Sequence, residues 1–388
     1  MIAKDDLLLR LRGTFTPSGP VQTRAAFAGR DEQRLQLAGA IAQPGRHAIV
    51  YGERGVGKTS LTNVLPEMLA VLNTGHAPNS VRVNCDDAAN FRTLWTQIAY
   101  RLGQPEADTW ETGDPRPEDV RRMLEQVRPP TVVVIDEYDR LADDAALSMM
   151  ADTIKTLSDN LVGTKLVLVG VADTIDALIG EHESVRRAIE QVLLPRMTPN
   201  EIIEVVSNGL ERVEMQASQA ALHRISRMAE GLPSYAHALP LHAASRAVMS
   251  DRITVEVEDV EAAAGTIVQT HSSRSLYLQA VSSPHGNNNY PAVLAACALA
   301  EKDELGYFTP AAVREPLSRV LGRPVDIPNY TSNLSGFLTH ERGEVLQRIG
   351  EARRRRFRFR DPMLQPFAIM AAADAGVIPT EYKDSLYA

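Results

Sequence analysis

One stretch narrows the choice of fold more than any other. Residues Gly52-Glu53-Arg54-Gly55-Val56-Gly57-Lys58-Thr59 fit G-x-x-x-x-G-K-[ST] without mismatch. An apolar run, His47–Tyr51, precedes them, and a helical pattern, Ser60–Leu65, follows. Strand, glycine loop and helix in that order predict a phosphate-binding turn. Gly52, Gly55 and Gly57 let the backbone curl so that successive N–H groups converge on phosphate oxygens. The helix that follows adds its positive N-terminal end. Lys58 supplies a cation for the β- and γ-phosphates and Thr59 a hydroxyl for Mg²⁺. Every residue from Gly52 to Ser60, that is Gly52, Glu53, Arg54, Gly55, Val56, Gly57, Lys58, Thr59 and Ser60, is a candidate nucleotide contact.

A second stretch belongs with the first. Thr131-Val132-Val133-Val134-Ile135 has no polar break and predicts a strand buried on both faces of a parallel sheet. It ends in Asp136-Glu137, at the rim where such sheets bind ligands. Asp136 is placed either to hold Mg²⁺ through water or to cap a helix. Glu137 is placed to orient and deprotonate a water molecule, and such a Glu also occurs where turnover is very slow.

The chain's 388 residues predict two or three domains. No apolar run reaches the roughly 20 residues that span a bilayer, and the start, Lys4–Arg10, is too acidic for a signal peptide. Cys85 and Cys297 have no metal-ligand spacing and are expected as buried thiols in a reducing compartment. A cytoplasmic protein with no membrane partner is the resulting expectation. The net charge of −8 argues against a surface that coats nucleic acid, without excluding a local basic patch.

Alternating strands and helices through residue 198 predict a doubly wound, parallel α/β sheet with right-handed connections. The expected division is an arm at 1–25, a nucleotide-binding core at 26–198, a helical lid at 199–270 and a winged helix at 271–388. Turn formers at Gly13, Pro17, Gly19 and Pro20 suggest the arm, and Pro105, Gly113, Pro115 and Pro117 a surface loop at 104–118. The region from Pro199 to Thr270 reads as helical throughout, with helices at about 199–215, 218–229, 234–250 and 255–269. Beyond it, three short helices and two strand-like pieces, Glu344–Ile349 and Arg354–Arg360, make the winged-helix pattern, with Asn329–Leu338 in the recognition position.

These marks together resemble the AAA+ ATPases of the origin-recognition or STAND type, within the additional-strand class of P-loop NTPases. The resemblance implies ATP and Mg²⁺ as ligands, ATP hydrolysis, and homo-oligomers in which an arginine from one subunit completes the next subunit's site. Phe27-Ala28-Gly29-Arg30 resembles the box beside the adenine, which makes Arg30 a nucleotide contact. Gly170–Thr174 resembles the sensor-1 segment, with Asp173 at the position usually held by Asn. Ser184-Val185-Arg186-Arg187 resembles the finger segment, and Gly231-Leu232-Pro233 the lid turn whose proline packs near the nucleotide. The sensor-2 arginine is missing.

Arg186 and Arg187 are either trans-acting fingers or surface arginines. His237, with His242, is either a nucleotide-sensing imidazole or a packing residue. Between Arg342 and Arg360 stand eight Arg and two Glu. Strand alternation puts Arg356, Arg358 and Arg360 on one face and Phe357 and Phe359 on the other. Arg354, Arg356 and Arg358 are therefore candidates for duplex DNA phosphates, and the alternative is an unknown, acidic protein partner. Asn329–Leu338 carries no Arg or Lys, so contact with DNA would be to its backbone. The expected function is an ATP-driven switch that controls self-assembly, in signalling or defence, or alternatively a DNA-binding loader or regulator.

Overall fold

In the computed structural model of the chain, residues 4–72, 78–141, 143–171, 183–282, 289–350 and 354–387 are described. The contacts divide the chain into two units. One comprises Pro20–Glu53 and Gly57–Pro195, the other Met1–Gly19, Arg54–Val56 and Arg196–Ala388.

Helix α1 (Lys4–Thr14) opens the chain and belongs to the second unit. The first unit begins with α2 (Asp31–Ala42), β1 (His47–Tyr51), α3 (Lys58–Asn63), α4 (Leu65–Leu72) and β2 (Asn79–Asn84). Next come α5 (Phe91–Arg101), α6 (Glu106–Trp110), α7 (Pro117–Gln126) and β3 (Thr131–Asp136). The unit closes with α8 (Asp144–Asp159), β4 (Lys165–Gly170), α9 (Glu183–Ala188) and β5 (Ile189–Leu193). All strand pairings are parallel, in the order β2-β3-β4-β1-β5. Strand β4 thus lies between β1, which carries the glycine loop, and β3, which carries Asp136. This is the additional-strand arrangement of a doubly wound P-loop core.

Burial follows position in the sheet. The central strands β3 and β4 are buried at every residue, which is why their sequences are continuously apolar. The edge strand β2 exposes Asn79, Ser80, and Asn84. Helices α5, α7 and α8 contribute Trp95, Ile98, Met123 and Ile154 to the core against Val133, Ile135, Leu166 and Leu168. The segment at 104–118 is not wholly loop. Trp110 is buried on α6, and its carbonyl accepts a hydrogen bond from Thr96 Oγ1 at 3.2 Å. Burying a side chain of that kind contributes roughly 1.5–3 kcal/mol, which offsets part of the cost of ordering this short turn.

The second unit holds α10 (Pro199–Glu211), α11 (Gln219–Met228), α12 (Pro233–Met249) and α13 (Val257–Thr270). Between them a two-residue parallel pair, β6 (Gln216–Ala217) with β7 (Thr254–Val255), interrupts the expected all-helical run. The expected arm is folded. Leu11 and Phe15 are buried, and α1 packs on α12. A side chain at Gly209 would start 2.5 Å from the Phe15 ring, so only glycine leaves room for it. Gly13 lies within α1, and the turn formers Pro17, Gly19 and Pro20 follow after the helix has closed.

Helices α14 (Ser273–Val281), α15 (Tyr290–Leu299), α16 (Pro310–Leu321) and α17 (Thr331–Gly336) follow. The antiparallel hairpin of β8 (Leu346–Ile349) and β9 (Arg356–Phe359) comes next. An isolated antiparallel bridge joins Phe308 to Phe357 beside the hairpin, so three helices, α15–α17, and a hairpin follow one another in the order expected of a winged helix. The helix expected at Asn329–Leu338 is shorter, because a 3₁₀ turn at Ile327–Asn329 precedes it. Helices α18 (Leu364–Asp374) and α19 (Thr380–Tyr387) end the chain.

Candidate nucleotide site

Strand β1 delivers the chain to the rim of the sheet, where it must turn at once. Gly52 has φ 147°, and a Cβ there would lie 2.4 Å from the Leu194 carbonyl oxygen, so no other residue fits. Gly55 and Gly57 have φ of 83° and 101°, and Gly57 is the N-cap of α3. Glu53 and Val56 are buried, whereas Arg54 and Gly55 are exposed. Lys58 is buried and curls back to donate to the carbonyls of Gly52 at 3.0 Å and Glu53 at 2.8 Å. The ammonium is thus stored within the loop it serves.

Thr59, on the first turn of α3, donates from Oγ1 to Asp136 Oδ2 at 3.0 Å. Asp136 is buried at the end of β3, and its Oδ1 accepts the Glu137 N–H at 2.9 Å. The donor set fits Mg²⁺. The Thr59 hydroxyl spends its proton on Asp136, which leaves its lone pairs for a cation, and the carboxylate supplies negative charge beside it. Glu137 has φ 54° and a half-exposed side chain, in an ion pair with Arg140 Nε at 3.5 Å. The left-handed backbone turns the chain out of the strand and presents the Glu137 carboxylate to solvent. Asp139 accepts the Val171 N–H at 2.8 Å and so ties this turn to the end of β4. Cys85 lies behind these carboxylates, and burial first, then the charges of Asp86, Asp139, Glu137 and Asp136, pushes its thiol up to about 12. It stays protonated and is no nucleophile.

Arg82 joins this site although its sequence context does not mark it. From β2 its Nη1 bonds Asp136 Oδ2, and its Nη2 bonds Thr62 Oγ1 at 2.7 Å and Asn63 Oδ1 at 2.8 Å. The only signal in the sequence was a cation inside a strand, and its target, 54 residues away, is set by sheet order.

Among the other expected contacts, Arg30 is a buried N-cap of α2 with φ 62°. Ser60 Oγ accepts the Val21 N–H at 3.1 Å. Arg186 and Arg187 project into solvent from the last turn of α9, between buried Val185 and Ala188. Asp173 lies outside the described residues. Pro233 is the first residue of α12, and Gly231 before it has φ 73°, at a place where a Cβ would stand 2.7 Å from the Met197 carbonyl oxygen. Of the two alternatives for His237, its contacts fit the packing one. Its Nδ1 accepts the Thr16 N–H at 3.2 Å and its ring meets Phe15 edge-on at 5.9 Å. Burial, and then Arg212, lowers its pKa to about 4, so it is a neutral residue that docks the end of α1.

The wing corrects the expected basic stripe. Phe357 and Phe359 are buried and Arg356, Arg358 and Arg360 face the other way, but the arginines are engaged. Arg356 pairs with Asp303 at 2.7 Å and Arg360 with Glu344 at 2.8 Å, and the Arg358 guanidinium lies 4.6 Å from the Tyr307 ring centre. Exposed Arg348, Arg354 and Arg355, together with Arg356, line a groove of about 730 Å³, with Pro310, Ile327 and Leu334. Arg348 pairs in register with Phe357, on the hairpin face opposite to the expected stripe. Of the arginines on this groove, Arg354 and Arg356 are among the expected contacts.

Sheet order, glycine loop and the Thr59–Asp136 pair define a P-loop NTPase of the additional-strand class. Residues 42–178 match the AAA domain family. The chain is 24% identical over 170 residues to the ORC1-type DNA replication protein 2 of Thermoplasma acidophilum, covering 42% of this chain and 41% of that one. It is 24% identical over 199 residues to the ORC1-type DNA replication protein 8 of Halobacterium salinarum, covering 47% and 50%. The matches thus span about half the length, or less, of these curated relatives. Among solved structures, the Aeropyrum pernix ORC2 protein in ADPNP–ADP complexes covers 95% of this chain and 98% of its own, at 14% identity and a TM-score of 0.51. A Walker-type ATPase of Pyrococcus abyssi covers 90% and 98%, at 16% identity and 0.51. Over residues 42–178 the chain is similar to the AAA domain family, and it resembles the origin-recognition-type AAA+ ATPases.

Among the described residues, no helix is long and apolar enough to cross a membrane. Both cysteines are free and buried, as expected.

Proposed function

We propose that the protein is an ATP-binding and slowly ATP-hydrolysing switch whose nucleotide state controls self-association. The observation that carries this reading is the Thr59–Asp136 hydrogen bond at 3.0 Å, which joins the glycine-loop helix to the carboxylate strand. Lys58 would leave the Gly52 and Glu53 carbonyls for β- and γ-phosphate oxygens, and the loop N–H groups would take the remaining phosphate charge. Mg²⁺, held by Thr59 Oγ1 and through Asp136, would neutralise charge on the transferred phosphoryl group. Glu137 would accept the proton of the attacking water as its oxygen bonds the γ-phosphorus and the bond to ADP breaks. Arg186 or Arg187 of a second copy would stabilise that charge in trans. The domain plan that accompanies this reading is core, helical lid and winged helix over 26–198, 199–270 and 271–388.

The partner we propose is duplex DNA, bound through the winged helix. Two features support it: the relatives are named as DNA replication proteins, and three arginines without a carboxylate partner among the described residues border the groove beside α17. Nothing comparable favours signalling or defence.

Calorimetry with ATP and Mg²⁺ tests the nucleotide reading. Wild type should bind, and Lys58→Ala should lose binding by at least about a hundredfold, a charge-assisted phosphate contact being worth roughly 3 kcal/mol. Near-native affinity in the variant would remove the loop from the nucleotide site.

A further inference from the structure

Asp136 Oδ2 accepts two donors of different kinds. One is the Thr59 hydroxyl, at 3.0 Å, which belongs to the Mg²⁺ donor set. The other is the Arg82 guanidinium, a cation placed on the oxygen through which a metal would be held. Both groups are largely sheltered, with 25% of the Arg82 side chain and 8% of the Asp136 side chain exposed. Shelter makes the charge on Arg82 count, because solvent screens it poorly.

Arg82 is also fixed at its far side. Its second terminal nitrogen bonds Thr62 Oγ1 and Asn63 Oδ1 on α3. Asn63 in turn donates to the Val21 carbonyl at 3.0 Å, and the Val21 N–H bonds Ser60. A single guanidinium therefore links β2, β3 and α3, and the network ends on the first residues of this unit. A side chain needed only for packing on an edge strand would require neither the charge nor the three acceptors.

We propose that Arg82 is a positioning residue that serves as the counter-charge of Asp136 in the nucleotide-free protein and sets how much Mg²⁺ the site demands. It holds Asp136 and α3 in register when no phosphate is bound. When Mg²⁺·ATP enters, a dication beside Thr59 meets this fixed cation, and the guanidinium must loosen its hold on Oδ2. The ligands involved are those of the nucleotide reading above, on which this inference rests.

The test is calorimetric titration of ATP across a magnesium series. Arg82→Gln removes the charge but can still bond Thr62 and Asn63, and Arg82→Lys keeps the charge. With like-charge repulsion removed, the Mg²⁺ concentration for half-maximal ATP binding should fall about tenfold in Arg82→Gln and stay near wild type in Arg82→Lys. An unchanged or raised midpoint in Arg82→Gln overturns the proposal, since a residue that merely orders the carboxylate would weaken Mg²⁺ binding when removed. Wild type that binds no Mg²⁺·ATP would remove the nucleotide reading and this inference together, whereas normal binding with no shift removes this inference alone. If Arg82→Gln does not fold, the wild-type protein still decides. Its Arg82 guanidinium NMR signal, assigned against Arg82→Lys, should shift and broaden on adding Mg²⁺·ATP, and an unmoved signal overturns the proposal.

Discussion

Glu137 and Arg140 form an ion pair just past the end of β3, with Nε 3.5 Å from Oε2. Both side chains are about half exposed, so the pair is worth little and does not lock the carboxylate. Glu137→Gln should bind ATP as wild type does and lose turnover by about 10²–10⁴-fold, the usual value of a positioned base. Arg140→Ala should change turnover by no more than about twofold. Single-turnover assays beside calorimetry check both. Wild-type turnover in Glu137→Gln would make that residue structural.

Arg186 and Arg187 project from α9 without contributing to the core. If either acts in trans, turnover per subunit should rise with protein concentration. Arg186→Ala combined with Arg187→Ala should lower the rate by about 10³-fold or more. Mixing that variant with Lys58→Ala, which keeps the finger but not the nucleotide, should restore part of the activity. Concentration-independent turnover with no rescue would identify ordinary surface arginines.

The wing arginines divide into two sets with different expected effects. Arg348, Arg354 and Arg355 border the groove with no carboxylate partner among the described residues, whereas Arg356, which also borders it, and Arg360 pair with Asp303 and Glu344. Replacing the first three with Ala should weaken duplex DNA binding for all sequences alike. The slope of log K against log salt should fall by about one for each DNA phosphate that is no longer neutralised. Arg360→Ala should leave that slope unchanged. Fluorescence anisotropy through a salt series decides, and equal effects from the two sets would restore the outer stripe as the binding face. No binding by wild type at low salt would turn attention to an acidic protein partner.

His47 sets an acid limit on stability. It is buried in β1, where its Nδ1 accepts the Leu166 N–H at 3.0 Å. Burial, and secondarily the charge of Lys165, lowers its pKa to about 3. Near neutral pH neither folded nor unfolded chain protonates it. As pH falls below the ordinary value of about 6.5, the unfolded chain takes up the proton and the folded chain does not. The folding equilibrium should therefore lose about tenfold per pH unit from this residue, down to its folded pKa. His47→Asn, which can still accept the Leu166 N–H, should flatten that slope. Urea unfolding between about pH 7 and pH 5 measures it, and equal slopes in both proteins would refute the assignment.

The core of this protein was legible because its signals are local. The glycines of 52–57 answer to backbone conformations that glycine alone adopts readily, and the Gly52 turn leaves no room for a Cβ. The unbroken apolar runs of β3 and β4 follow from burial on both faces, which any neighbouring strand would impose. Thr59 and Asp136 each stand at a fixed place in one of those two motifs, which marks them whatever the distance between them. Tertiary structure decided what depends on partners distant in sequence. Arg82 meets Asp136 because β2 and β3 are adjacent in the sheet, a fact of strand order that no window of sequence contains. His237 turned from a candidate sensor into a packing residue because α1 folds back and brings Thr16 and Phe15 to it. On the wing, alternation placed the arginines and phenylalanines on opposite faces. Only the structure showed Asp303 and Glu344 reaching two of those arginines, so the open charge moved to Arg348, Arg354 and Arg355. A side chain's residue type and the strand or helix that carries it come from its neighbours in sequence. Whether its charge is free or paired depends on groups that the fold brings near it.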